Sequence, residues 1–117
     1  MRIMQHFQSG KQVPIKYAVA VDQLPNGGQK VHFSGGLTVF LLNGQIHNET
    51  GPAVKDHQLE EWWIHDHYLT PEEYWTYQRL WFCDVDELLL YVSEPIYAPI
   101  FIFFFNSLIF SAINNVD

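Results

Sequence analysis

The alternation of apolar and polar positions changes character twice along the chain. Over the first 29 residues it is weak: Val13, Ile15, Tyr17, Val19 and Val21 fall on one side of an extended segment, and Pro14, Lys16, Ala18 and Ala20 on the other. That spacing predicts a strand, with Pro14 at its start or on an edge, where the missing N–H costs no ladder bond. Leu24-Pro25-Asn26-Gly27-Gly28 predicts a turn, because Pro presets one dihedral while Asn and Gly tolerate positive φ. Next come Lys30 to Ser34, Leu37 to Leu42 and Gln45 to His47, separated by Gly35-Gly36 and Asn43-Gly44. Two successive hairpins are expected, since Asn-Gly between apolar stretches supplies the two positive φ angles of a type I′ turn. A short extended piece and turn over residues 51–57 leads to a strand from Gln58 to Ile64 that carries Trp62 and Trp63.

At Thr70 the period lengthens. Thr70-Pro71-Glu72-Glu73 offers an N-cap, a proline at the first helical position and a capping-box glutamate at the third. Tyr74, Tyr77, Gln78 and Trp81 continue at helical spacing. A second helix is expected from Asp84 or Asp86, with Val85, Leu88, Leu89 and Val92 on one stripe and Pro95 and Pro99 ending it. The fold class is therefore α+β: a small twisted antiparallel sheet of β-hairpins, then one or two helices, then an apolar C-terminal segment. One domain is expected over residues 1–95, with 96–117 set apart.

Residues 96–113 hold no charge, and eleven of the eighteen are Ile, Phe or Leu. Placed in lipid as a helix, those eleven would favour insertion by about 3 to 7 kcal/mol before Asn106, the serines and Pro99 subtract. No Lys or Arg flanks the run, so the usual orientation signal is missing. The β-branched and aromatic residues at 100–105 equally suit a buried strand, with Asn106-Ser107 as a turn. A packed core or an oligomer interface is favoured, and a membrane anchor is the alternative.

Composition narrows the function classes. Six basic against thirteen acidic residues give a net charge of −7, which disfavours phosphate backbones and anionic membranes and suits a basic protein partner. Cys83 is the lone cysteine, set among Leu80, Trp81 and Phe82, so a disulfide framework is excluded and a buried hydrophobe is expected there. A polar start, Met1 to His6, does not open a secretory signal, and a cytoplasmic setting is expected.

The stretch Leu42 to Val54, with Glu60-Glu61-Trp62-Trp63-Ile64 after it, resembles a MORN-like hairpin repeat of phage and prophage proteins. Its matching residues are Asn43, Gly44, His47, Glu49, Gly51, Pro52, Ala53, Glu61, Trp62 and Trp63. A degenerate second start follows at Ile64-His65-Asp66-His67-Tyr68-Leu69, and the Thr70 helix matches the usual close of such arrays. The resemblance spans about residues 37–75 and has one clear repeat where the family has several. It implies a scaffold or interaction surface with no catalytic residues, in a phage or prophage accessory protein that binds, and by that inhibits, a host protein such as a defence component. Fold analogy is only an associational ground for function.

Residue chemistry adds little to favour catalysis. His47, His57, His65 and His67 with Asp66 invite a metal reading, but turn residues of these types are also explained by tolerance of positive φ, and no metal or other cofactor is expected. Glu60-Glu61, Glu72-Glu73 and Asp86-Glu87 are adjacent pairs whose side chains diverge. No nucleophile elbow, phosphate loop or dinucleotide fingerprint occurs. Trp62 and Trp63 cannot both enter one core, so one of them is expected to face outward. A binding surface of Trp62, Trp63, Tyr68 and Trp75, flanked by Glu60 and Glu61, and burial of the aromatics under the following helix are held as equal expectations. The protein is read as a non-enzymatic binder of a protein partner, with self-association open, direct nucleic-acid binding not expected and membrane attachment as the alternative.

Overall fold

A computed structural model describes residues 5–114 of the chain. It is α+β, an open seven-stranded antiparallel sheet followed by helices at the C-terminus. The chain divides into two compact units, Met1–Pro71 and Glu72–Asp117.

In the first unit the strands are β1 (Ala20–Gln23), β2 (Gln29–His32), β3 (Thr38–Leu42), β4 (Gln45–Ile46), β5 (Val54–Lys55), β6 (Glu60–Ile64) and β7 (His67–Leu69). They lie in the order β1-β2-β3-β5-β6-β7, while β4 shares the β5 side of β3. β4 pairs with Leu41 and Leu42 and β5 with Thr38 and Val39, so the two short strands line one edge of β3 end to end. Registers place Val31, Val39, Val54 and Glu61 in a single row across β2, β3, β5 and β6. Directly paired residues share a sheet face. This row is the centre of a core completed by Leu41, Ile46, Ala53, Val13 and Trp63.

The other face is polar. His32, Thr38, Lys55 and Glu60 form one row, and Asp22, Lys30 and Phe40 the next. Cross-strand chemistry holds them: His32 Nε2 lies 2.8 Å from Asp22 Oδ2, Lys55 Nζ 3.9 Å from Glu60 Oε1, and Lys30 Nζ 5.5 Å above the Phe40 ring. These exposed pairs are worth little stability individually.

Of the strand expected through residues 13–21 only Ala20 and Val21 form, as the start of β1; a 3-10 turn, Ile15–Tyr17, takes the middle of that stretch, after another at Gly10–Gln12. Pro14 breaks the extended path at ψ 72°, and Tyr17 N and Ala18 N donate locally to Pro14 O and Ile15 O instead of to a ladder. Only Val13 of the supposed apolar side is buried, while Ile15, Tyr17, Val19 and Val21 stay exposed.

The second unit contains α1 (Pro71–Phe82), α2 (Val85–Ser93) and α3 (Ala98–Asn114). α1 begins at Pro71 as its capping sequence predicts. Asp84 caps α2, its Oδ1 accepting from Glu87 N at 2.9 Å. The apolar run is a 17-residue helix, which corrects the strand-and-turn expectation. Pro99 falls in its first turn, where no donor is needed, and Ser107 does not interrupt it because Oγ donates back to Phe103 O at 3.1 Å. Tyr77 and Trp81 of α1 meet Phe103 and Phe104 of α3, with Trp81 and Phe104 edge to face at 5.0 Å between centroids. Among the described residues no helix is long and apolar enough to cross a membrane.

Candidate functional site

The repeat-like segment is organised by two turns of one kind. Asn43 and Gly44 have φ of 52° and 77°, and His65 and Asp66 have 46° and 68°. Two consecutive positive values are what a type I′ hairpin needs, so His65-Asp66 performs the duty that Asn43-Gly44 performs 22 residues earlier. Asp66 does more than turn the chain. Its Oδ1 accepts from Ile46 N at 2.7 Å and Gly10 N at 2.8 Å, and its own N–H donates to Ile46 O at 2.9 Å. The second turn thus holds β4 and the N-terminal 3-10 turn.

Between β4 and β5 the chain leaves the sheet and returns. His47 N donates to Phe40 O on the way out, and Phe40 N to Ala53 O marks the return. Asn48 closes the excursion, with Nδ2 donating to Pro52 O at 3.0 Å and Oδ1 accepting from Thr50 N at 3.1 Å and from its hydroxyl at 3.0 Å. Gly51 and Pro52 lead into the fully buried Ala53, whose N–H donates to Glu61 O at 2.8 Å.

His47 stands at the root of this loop and is 5% exposed. Its Nδ1 accepts from His65 N at 3.1 Å, which places the ring proton on Nε2, 3.4 Å from Glu49 Oε1. The His65 ring lies against it at 4.3 Å between centroids. Hydrogen bonding to His47 holds the Glu49 carboxyl below the usual carboxylate range, with the nearby imidazoles adding to the effect against partial burial. Burial pushes the His65 imidazole down from its ordinary value, and the neighbouring His47 reinforces that. Both nitrogens of His47 are engaged and its ring is enclosed, while the Glu49 side chain beside it is exposed, so the His47–Glu49 pair ties the loop to the turn at His65. It acts as a clamp on the loop. His67 Nδ1 lies 3.0 Å from His65 O, and among the described residues no group of three or more His, Cys, Asp or Glu side chains is placed to hold a metal ion.

No family model matches the chain, and neither a curated protein nor a solved structure is found similar to it. Function must be read from the surfaces.

Two of the six residues expected on a binding surface are in the core. Trp63 and Glu61 are each 1% exposed, because strand alternation puts both on the inner face once Glu61 pairs with Val54. The Trp63 indole N–H donates to Glu61 Oε1 at 3.0 Å, His6 N donates to Oε2 at 3.1 Å, and the indole meets the Tyr68 ring edge to face at 5.7 Å. Glu61 is thus a buried carboxylate that receives an indole and a backbone donor. Trp62 and Tyr68 are half-buried and Glu60 is exposed. Trp75 is 65% exposed but belongs to the helical unit, so the six do not make one patch on the sheet.

Each unit carries a different kind of concavity. On the polar face of the sheet, Lys30, Thr38, Phe40, Thr50, Lys55 and His57 line a shallow groove of about 550 Å³. Two hollows of about 370 Å³ each run along α1 and α2, one bounded by Trp75, Gln78 and Phe82, the other by Leu90, Glu94 and Tyr97, with Arg79 and Glu87 common to both. In the same unit Phe82, Val85, Leu89, Leu90 and Ile96 are all exposed. Helical spacing alone gathers Val85, Leu88, Leu89 and Val92 on one stripe and leaves Phe82, Leu90 and Ile96 without a place. The signal was there: Leu88, Leu89, Leu90, Tyr91 and Val92 are consecutive, and five apolar residues in a row cannot all lie on one helix face.

Proposed function

We propose that the protein is a non-enzymatic binding module that docks another protein, with the helical unit supplying the contact surface. The observation that carries this reading is the exposure of large apolar side chains on α1 and α2, with Phe82 89% and Trp75 65% exposed beside Leu89 and Leu90. Burying one such side chain is worth about 1.5–3 kcal/mol, and so many exposed large apolar side chains in one small unit favour an interaction site. Aromatic anchors such as Trp75 are the usual centre of binding energy. The MORN-like resemblance and the acidic balance support a phage or prophage accessory protein acting on a basic host protein, with the sheet as its scaffold. The enclosed His47 clamp supports a structural rather than a catalytic role for the repeat-like segment.

Membrane association is the second reading. It is favoured by α3, where no charge occurs between Glu94 and Asp117 and where Ile102 and Phe105 are exposed.

Affinity purification from host cells of the wild-type chain and of Phe82→Ser/Leu89→Ser, with mass spectrometry of what is retained, tests the first reading. A partner that the wild type holds and the variant loses is expected. The same partner held equally by both would sink it. Extraction from the membrane fraction by detergent alone would transfer support to the second reading.

A further inference from the structure

The two hollows of the helical unit share Arg79 and Glu87, so they form one trough along α1 and α2. Its apolar residues are Trp75, Phe82, Leu90 and Tyr97, and its carboxylates are Glu87 and Glu94. Charge is distributed unevenly along the chain: residues 72–117 contain seven acidic residues and a single basic one, Arg79. The trough thus joins apolar residues to two carboxylates and one guanidinium, in a unit whose seven acidic residues and one basic residue give −6 of the protein's net −7.

We infer that this trough takes a basic amphipathic helix of the partner, a segment with large apolar side chains on one face and Lys or Arg beside them. The inference rests on the protein-docking reading above and names the chemistry of what docks. A groove between two helices accommodates a third through anchors at i, i+3 or i+4 and i+7. Glu87 and Glu94 then face the flanking cations of the guest, which sets its orientation and speeds its encounter more than it tightens the complex. Arg79 stands with Glu87 where the hollows join, so the guest's cations face Glu94 and the Glu87 side of the junction and a neutral or acidic residue faces Arg79. Charge argues against the other occupants. A second copy would oppose carboxylates with carboxylates, and anionic lipid or nucleic acid would meet the same repulsion.

The test uses the full chain and three labelled peptides of about five helical turns: an amphipathic Leu/Lys helix, a Leu/Glu helix of the same pattern, and a scrambled Leu/Lys peptide with no apolar face. Fluorescence anisotropy is expected to show binding of the first alone, weakening as salt is raised from about 50 to about 300 mM. Glu87→Lys/Glu94→Lys is expected to weaken it about tenfold. Leu90→Ser is expected to abolish it, with circular dichroism confirming that the helices persist. Equal binding of the Leu/Glu or scrambled peptide, or no effect of the charge reversal, would overturn the basic-helix inference while leaving protein docking standing. A dimer in sedimentation equilibrium that Leu90→Ser dissolves, or binding to anionic vesicles in preference to the Leu/Lys peptide, would also overturn it. Failure of the docking reading shows separately, as a host partner retained by Phe82→Ser/Leu89→Ser.

Discussion

Replacing Trp63 by alanine removes the largest fully buried side chain of the protein. The indole fills the core beside Val54 and Ile46, touches Tyr68 edge to face and donates to Glu61 Oε1. A buried Trp→Ala truncation costs about 3–5 kcal/mol in lost contacts and cavity. Glu61 Oε1 also loses its indole donor, and an orphaned buried acceptor adds roughly 1–3 kcal/mol where water cannot reach it. Against a total stability of about 5–15 kcal/mol, the loss is a large fraction. With a urea dependence of about 1–3 kcal/mol per molar, the unfolding midpoint should fall by about 1 M or more. Urea titration followed by circular dichroism measures it. Trp63→Phe keeps a ring against Tyr68 but loses the N–H, so it should fall by less. Adding Glu61→Leu to Trp63→Phe removes the unpaired Oε1 but strands His6 N, the donor to Oε2, so it should not restore the wild-type midpoint. Trp62→Ala, on the half-buried outer face, should cost less than half as much as Trp63→Ala. A Trp63→Ala midpoint within about 0.2 M of wild type would refute the placement of this residue and revive an outward-facing tryptophan.

Asp66→Ala removes the acceptor of two backbone N–H groups, and at roughly 1.5–3 kcal/mol for each bond to a charged group it should speed amide exchange at Gly10 and Ile46 before other core amides; protection unchanged at both would contradict the hub role. The His65 imidazole titrates below its ordinary value of 6.5, so the unfolded chain takes up its proton first and stability must fall as pH drops below that value. Glu49, also depressed, adds a second loss below its ordinary 4.5. The urea midpoint should therefore decline from pH ~7 towards pH ~4, and His65→Asn should flatten the upper part of that decline; identical profiles would show that His65 carries none of it. Gly10→Ala would drive a Cβ into Gly44 O, a backbone atom, whereas Gly27→Ala meets nothing and costs only the strain of its φ of 85°, about 1–2 kcal/mol. Gly10→Ala should lower the urea midpoint more than Gly27→Ala, and the reverse order would contradict the close approach.

The parts of the fold that could be read from the sequence are those decided within a few residues. Asn43-Gly44, the proline-led start of α1 and the Asp84 cap each satisfy local backbone needs, and each forms as expected. His65-Asp66 was legible as a degenerate second turn for the same reason. What could not be read depends on register. Alternation says that Trp62 and Trp63 point opposite ways, but only the pairing of Val54 with Glu61 says which points in. A glutamate reads as surface until a buried indole and a backbone N–H converge on it, as at Glu61. The apolar run failed differently: eleven Ile, Phe and Leu residues suit helix and strand alike, and the aromatic contacts between α1 and α3 join residues too far apart in the chain for local pattern to reveal. The candidate surface is partly legible, since Trp75 stands out as an aromatic anchor, while the exposure of Phe82 and Leu90 depends on packing that helical spacing does not specify.

The equivalence of the two turns bears on how such a chain can change length. Asn43-Gly44 and His65-Asp66 lie 22 residues apart and hand the chain on with the same backbone geometry. A tandem duplication of the intervening segment would deliver a new strand pair to the point where the old one began, with side chains still alternating inward and outward. The sheet could therefore be extended by gene duplication without redesigning either end, and Asp66, which ties the later turn back to β4, is the joint at which a new module would have to be accepted.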